Sequence, residues 1–150
     1  ALFRTCVGCL IYFGVDLEDC QLEISLLGRH MRVPTVGALV ALERLGRYLR
    51  GTRGAEIILR KPAGPLDSVV LDGYSDSDWA ADEETKRSQS SGHIELDGCP
   101  VYGYSNRQAI TTTSSRLAEF YAGVGVAEHL LLFRAVLVLW LLCARHPLDG

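Results

Sequence analysis

The sequence predicts an α+β fold, in which one long helix packs on a mixed β-sheet and a separate helical segment precedes both. Three observations support this prediction. Hydrophobic residues recur at helical spacing through the first fifty residues, short β-type runs with an Asp-Gly turn follow, and a long apolar stretch comes last. The 150 residues are 48% hydrophobic and 22% charged, which is typical of one globular domain with or without an extension.

The first half predicts three helices. One covers residues 3–13. For the second, Asp16 is the candidate N-cap, and Pro34-Thr35 separates it from the third, which Gly51 stops. The predicted buried stripes are Cys20, Ile24, Leu27 and Met31 in the second helix, and Ala38, Leu42, Leu45 and Leu49 in the third.

The second half begins with β signals. Residues 55–59 and 68–76 are strand candidates, and the breakers at 61–65 mark a domain boundary, which divides the chain into 1–54 and 55–150. Residues 93–96 and 101–104 predict a hairpin around Asp97-Gly98. Ser114 or Ser115 then caps a long helix, whose predicted buried stripe is Leu117, Phe120, Val124, Ala127 and Leu131.

Charge is distributed unevenly along a chain whose formal net charge is −3. Residues 29–61 hold eight Lys or Arg against two Glu, a net of +6, whereas residues 67–84 hold seven acids and no base. This pattern suits a protein that binds a polyanion on one surface and divalent cations on another. Two solvated faces of opposite sign would give the same pattern.

Cysteines and apolar runs restrict the class of protein. Five scattered cysteines favour reduced thiols over a disulfide framework, and the Cys6/Cys9 pair lacks the partners that a zinc site needs. No signal peptide is recognisable at the start. Residues 130–144 are apolar except for Arg134 but fall short of the ~20 residues of a membrane span. A core helix buried nearly all round is therefore expected, with membrane insertion as the alternative.

Carboxylates follow the strand at 68–76. Asp76, Asp78 and Asp82 can project into one site there, and their hard oxygens suit Mg²⁺ or Mn²⁺. A solvated acidic loop is the alternative. Glu119 lies close to the predicted stripe of the last helix, where a carboxylate needs a metal or, as the alternative, an ion pair with an arginine.

Seven motifs resemble those of copia-type retrotransposon Pol polyproteins, in the family's order. Residues 74–80 (Y-S-D-S-D-W-A) are similar to Y-S-D-A-D-W-A, and residues 114–122 resemble S-S-x-E-A-E-F/Y-x-A. The other matching segments are 7–12, 26–31, 47–52, 85–92 and 104–108.

The resemblance implies an incomplete ribonuclease H-like domain (α+β, of the α/β type) in residues 55–150, after a helical connection or thumb-like segment of the reverse transcriptase in residues 1–54. Asp76 and Glu119 would be catalytic metal ligands for two Mg²⁺ (or Mn²⁺). Asp78 would lie beside them in a supporting or structural role, without binding the metal. The implied partners are an RNA·DNA hybrid and the rest of the polyprotein, without a membrane, in the cytoplasm or a virus-like particle. The implied phosphate contacts are Lys86, Arg87, Arg107, Arg47 and Arg50.

The sequence also departs from the family pattern. The third and fourth acids of the family site are missing, and Leu117 stands where the family has a first Glu. Two ligands of four would bind Mg²⁺ weakly, so little or no ribonuclease activity is expected of this chain alone. The alternative to a piece of an active enzyme is a catalytically dead remnant that serves at most as a nucleic-acid-binding or structural module.

Overall fold

The computed structural model describes residues 2–60, 64 and 68–145. Three helices, α1 (Leu2–Phe13), α2 (Gln21–Arg29) and α3 (Val36–Gly51), come first. Strands β1 (Leu71–Asp78), β2 (Gln89–Leu96) and β3 (Cys99–Arg107) follow, and then α4 (Ser115–Arg145). The prediction of an α+β fold is confirmed. The expected mixed sheet is wrong for the described residues, because β1–β2 and β2–β3 both pair antiparallel, in the order β1-β2-β3.

Helices α1 to α3 pack around an apolar core of their own. Its buried members are Phe3, Val7, Cys20, Ile24, Leu27, Ala38 and Leu45. Leu42, Leu49 and Met31 pack partly buried against it, so both predicted stripes face this core. Thr35 caps α3, because its Oγ1 accepts a hydrogen bond from the Ala38 amide at 3.1 Å.

The predicted N-cap at Asp16 is wrong. Asp16 lies in a 3₁₀ turn, Gly14–Asp16, and a second 3₁₀ turn, Glu18–Cys20, separates it from α2. These turns satisfy the backbone themselves, since the Leu17 amide donates to the Gly14 carbonyl and the Cys20 amide to the Leu17 carbonyl, both at 3.0 Å. The N-cap of helix α2 is Cys20, so the helix starts four residues later than predicted.

The β-hairpin is confirmed. Asp97 and Gly98 both have positive φ, 50° and 72°, as a two-residue type I′ turn requires. The strand expected at 68–76 is present but displaced to Leu71–Asp78.

The prediction of a strand at residues 55–59 is wrong, because the structure has no helix or strand there. At its end the Arg60 amide lies 3.1 Å from the Cys99 sulfur instead of pairing with a strand. Of the breaker cluster at 61–65, only residue 64 is among the described residues, so most of that prediction lies outside them.

Helix α4 packs on the sheet through small side chains. Ala118, Ala122 and Val126 are buried, and a Cβ on Gly73 would lie 2.7 Å from side-chain atoms of both Val126 and Leu130. The predicted N-cap Ser114 is present, since its Oγ accepts from the Leu117 amide at 3.2 Å.

The predicted stripe on α4 is wrong, because the face that packs on the sheet lies on nearly the opposite side of the helix. Phe120 is 65% exposed and Leu131 64% exposed, and Leu117 and Val124 are also exposed. Glycines on the sheet let α4 approach so closely that only a small-residue face fits, which turns the bulky stripe towards solvent.

The apolar run at 130–144 is not a buried core helix as expected. Leu132, Val136, Leu139, Trp140 and Leu142 are all more than half exposed, because the described strands cover only one side of α4. By length and composition alone, α4 could cross a membrane. One such helix is weak evidence, and the absence of a membrane partner stays a prediction.

The close contact between α4 and the sheet predicts opposite effects for two Gly→Ala substitutions. Gly73→Ala should lower the free energy of unfolding by about 1–3 kcal/mol, because its methyl group collides with Val126 and Leu130. Gly46→Ala in α3, where no atom lies within 4 Å of the added carbon, should raise it by ~0.5–1 kcal/mol. Urea denaturation measures both, and equal effects would contradict this packing.

Candidate functional site

The two faces of the sheet carry different chemistry. Gly73 contacts α4, and Ser75 lies on the same side, since its Oγ would be 3.8 Å from a Cβ on Gly123 of α4. Side chains alternate along a strand, so Tyr74, Asp76 and Asp78 point to the opposite face. Helix α2 and the 3₁₀ turns before it pack on that face.

A cleft of about 430 Å³ lies between that sheet face and the helical segment. Four carboxylates line it, Glu18 and Asp19 from the helical side and Asp76 and Asp78 from β1. His93 of β2 is the basic residue in this lining; its Nδ1 lies 3.0 Å from Glu18 Oε2, and its Nε2 lies 3.1 Å from Glu95 Oε1. The cleft is therefore acidic, and His93 contacts two glutamates at its edge.

Asp76 and Glu119 lie in different surroundings. Asp76 is exposed within the cleft, whereas Glu119 is exposed on the second turn of α4 and does not line it. Among the residues that the structure describes, no group of three or more His, Cys, Asp or Glu could hold a metal ion. The metal-ligand roles of Asp76 and Glu119, and the supporting role of Asp78, stay predictions.

Asp82, grouped by sequence with the possible metal ligands, organises a turn instead. Its Oδ1 accepts from the amides of Glu84 at 3.1 Å and Thr85 at 2.9 Å, and its Oδ2 lies 2.8 Å from Nη1 of Arg107 and 3.4 Å from Nη1 of Arg29. The hydrogen bond from the Thr85 amide, followed by that from Arg107, lowers the pKa of the Asp82 carboxyl. An Asp whose side chain accepts from backbone amides two and three residues ahead forms an Asx-type turn, and the sequence analysis did not assign this role to Asp82.

Polar contacts join the helical segment to the sheet around Asp82. Arg29 of α2 donates to Asp82 and to Gln89 Oε1, and Gln89 Nε2 donates to Ser25 at 3.0 Å and to Ser105 at 2.9 Å. Burial lowers the pKa of the Arg29 guanidinium, and the nearby Asp82 opposes that effect. Sequence reasoning did not single out Arg29 or Gln89, because the contacts of Arg29 with Asp82 and Gln89 span 53 and 60 positions along the chain.

A second polar network holds the start of α4. Buried Gln108 donates to Ser90 Oγ at 2.8 Å and to the Ala118 carbonyl at 3.0 Å, and buried Ser88 and Thr112 share a hydrogen bond of 3.0 Å. Polar residues in the motifs at 85–92 and 104–108 thus serve the fold. This role was missed because a run of Ser and Gln is equally typical of an exposed loop.

The five predicted phosphate contacts differ in their surroundings. Arg107 is paired with Asp82. The side chains of Lys86, Arg87, Arg47 and Arg50 make no hydrogen bond or ion pair within the described part of the chain. Arg47 and Arg50 are exposed on α3, and Lys86 is exposed in the Asp82 turn with a positive φ of 54°. Four of the five cations are therefore available to an anionic partner.

Known proteins share this sequence over most of its length. The chain is 33% identical over 118 residues, 79% of its length, to the retrovirus-related Pol polyprotein from transposon RE1 of Arabidopsis thaliana. It is 30% identical over 128 residues, 85% of its length, to the corresponding polyprotein from transposon RE2 of the same plant. The chain spans about 8% of the length of each polyprotein.

A third relative is much shorter. The chain is 31% identical over 121 residues to secreted RxLR effector protein 161 of Plasmopara viticola, and this match covers 82% of that protein. No family model matches the chain. No solved structure matches it either.

The lowered pKa of Asp82 predicts how an Asp82→Asn variant depends on pH. Because the folded pKa lies below the unfolded value of about 3.9, the carboxylate contributes stability above that value and loses it as pH falls through the folded pKa. The variant should be less stable than the parent at neutral pH, and this difference should shrink below about pH 4.

Denaturant titrations across the pH range measure that difference. Glu84→Gln in the same turn is the matched control and should change stability little, since its side chain makes no hydrogen bond or ion pair with the described residues. A stability difference for Asp82→Asn that stays constant from neutral to strongly acidic pH would refute the ionic role of Asp82.

Proposed function

We propose that the chain, which is similar over about four-fifths of its length to retrovirus-related Pol polyproteins from transposons, joins the end of a reverse transcriptase to the first half of a ribonuclease H domain, in a copia-type element. The observation that carries this proposal is the order of elements. An antiparallel β1–β2–β3 sheet bears Asp76 on its first strand, and the helix that follows bears Glu119. The match to Pol polyproteins over about four-fifths of the chain supports the same assignment.

The activity proposed for the whole polyprotein is hydrolysis of the RNA strand of an RNA·DNA hybrid with Mg²⁺ or Mn²⁺, ions that would activate water and stabilise the leaving oxygen. The described residues do not fit a complete site for such ions. They contain no group of three candidate ligands, and Glu119 lies outside the cleft that Asp76 lines. We therefore assign no hydrolytic step to this chain by itself.

Nuclease activity should depend on further polyprotein sequence. A fluorescent RNA·DNA hybrid with Mg²⁺ or Mn²⁺ should stay intact with this chain and be cleaved by a chain extended with the downstream sequence of an intact relative. Asp76→Asn in the extended chain should reduce cleavage by at least about a hundredfold, because the substitution removes a metal ligand. Gel electrophoresis of the labelled strand measures the rate.

Asp72→Asn is the matched control on the same strand. Asp72 is exposed on β1 outside the cleft lining, so its substitution should leave cleavage unchanged. Equal rates for Asp76→Asn and the parent would refute the role of Asp76, and cleavage by the unextended chain would refute the need for further ligands.

The contribution that we propose for this chain itself is binding of the phosphate backbone. Arg47 and Arg50 lie one helical turn apart on the exposed side of α3 and have no carboxylate partner among the described residues. Guanidinium groups so placed hold phosphates without reading bases.

Replacing both arginines should weaken hybrid binding uniformly across sequences. For Arg47→Gln with Arg50→Gln, the salt dependence of the binding constant should decrease by about one to two in slope, because each arginine neutralises about one phosphate. Fluorescence anisotropy at several salt concentrations measures the slope. Glu43→Gln on the same helix is the control and should not reduce it; an unchanged slope in the double variant would contradict the proposed role of the two arginines.

A second candidate is a catalytically dead remnant with a structural or nucleic-acid-binding role. It is favoured by the Plasmopara viticola relative, because a protein of about this length carries the segment without the rest of a Pol polyprotein. Hybrid binding without cleavage in the extended chain would support this candidate over the first.

A further inference from the structure

Several polar contacts join two parts of the molecule that each have apolar packing of their own. Helices α1 to α3 surround their own apolar core, and the sheet packs against α4 through Ile94, Ala118, Ala122 and Val126. Between the two parts lies a set of side chains that we call the polar joint. It comprises Glu18, Ser25 and Arg29 on the helical side and Asp82, Gln89 and His93 on the sheet side.

The polar joint consists of defined residue pairs, and its polar character makes it easier to open than an apolar interface. Glu18 packs against Gly103, where a Cβ would lie 3.1 Å from its side chain, and it also bonds His93 at 3.0 Å. Arg29 reaches both Asp82 and Gln89. Opening an interface between charged and polar groups costs little free energy, because water replaces the partners that each group loses. Separating an apolar core would cost more.

The joint lies on the same sheet face as Asp76 and Asp78. The helical segment packs on the β3 side of that face, and both aspartates stay exposed in the cleft beside it. The remaining cleft of about 430 Å³ is within the range of small-molecule pockets, about 300–1,000 Å³. A nucleic-acid duplex is wider than its own major groove, which is about 12 Å across in B-form DNA. A whole duplex is therefore too wide to enter this cleft. With the helical segment docked, a duplex cannot lie flat on this face.

We propose that the helical segment of residues 2–51 is a detachable cover, which the polar joint holds on the β3 side of the sheet face that carries Asp76. Opening the joint exposes this face without unfolding either part, because each part keeps its own apolar packing. The cover itself follows from the contacts alone. The nucleic-acid partner of the uncovered face rests on the proposed function.

Thiol labelling of the full chain tests the cover directly. Ser105 is 5% exposed on the covered face, next to Gln89, so Ser105→Cys places a reporter thiol there. Cys20 is 2% exposed inside the helical core and reports unfolding of that segment. Maleimide labelling, followed by mass spectrometry of peptides, measures both rates in one sample.

Arg29→Gln and, separately, Glu18→Gln should each open the joint in this background. The reporter thiol should then react about tenfold faster or more, while Cys20 stays protected. Arg32→Gln is the matched control for Arg29→Gln, because it removes the same positive charge from the same segment. It should alter neither labelling rate, since the Arg32 side chain bonds no sheet residue among those described.

The labelling result decides whether the cover exists. Equal acceleration at Cys20 and at the reporter thiol, or no acceleration in either joint variant, overturns the proposal. The milder Glu18→Gln variant keeps the test decisive if Arg29→Gln does not fold. Binding of a fluorescent RNA·DNA hybrid is measured on the same variants. Faster reporter labelling with unchanged hybrid binding supports the cover and refutes the nucleic-acid role of this face.

Discussion

The close approach of α4 to the sheet is the constraint on which the other features depend. Gly73 and Gly92 leave no side chains between strand and helix, so Val126 and Leu130 pack directly on the β1 and β2 backbones. Only the narrow face of α4 with Ala118 and Ala122 can lie so close. The larger apolar residues of α4 are left outside, and the aspartates of β1 are directed to the opposite face.

That opposite face carries the acidic cleft, and a different part of the chain packs against it. Asp76 and Asp78 line a cleft with Glu18 and Asp19, and Asp82 joins the strand end to α2 through Arg29. Carboxylates that look alike in the sequence thus have two different surroundings in the structure. Those on β1 stay exposed in the cleft, whereas Asp82 is occupied by backbone amides and arginines. Only the first group has oxygens free for a ligand.

Several local features could be predicted because they depend on near neighbours. Asp97-Gly98 forms the hairpin turn by its own φ preferences, Thr35 caps α3, and the four-three spacing of Cys20, Ile24 and Leu27 identifies a buried helix face. The face of α4 could not be predicted in the same way. The larger apolar residues and the residues that face the sheet lie on nearly opposite sides of that helix. Hydrophobicity favours the larger residues, whereas the glycines of the sheet accommodate the side with Ala118 and Ala122.

The α+β class, the helical start, the hairpin and the motifs that relate the chain to Pol polyproteins could all be read from the amino-acid sequence, since each lies in short stretches of the chain. The surroundings of Asp76, Glu119 and Asp82 required the folded structure. Contacts such as Arg29 with Asp82 join residues 53 positions apart, and no local preference encodes them. Whether a carboxylate stays free or is neutralised depends on which distant groups the packing brings to it.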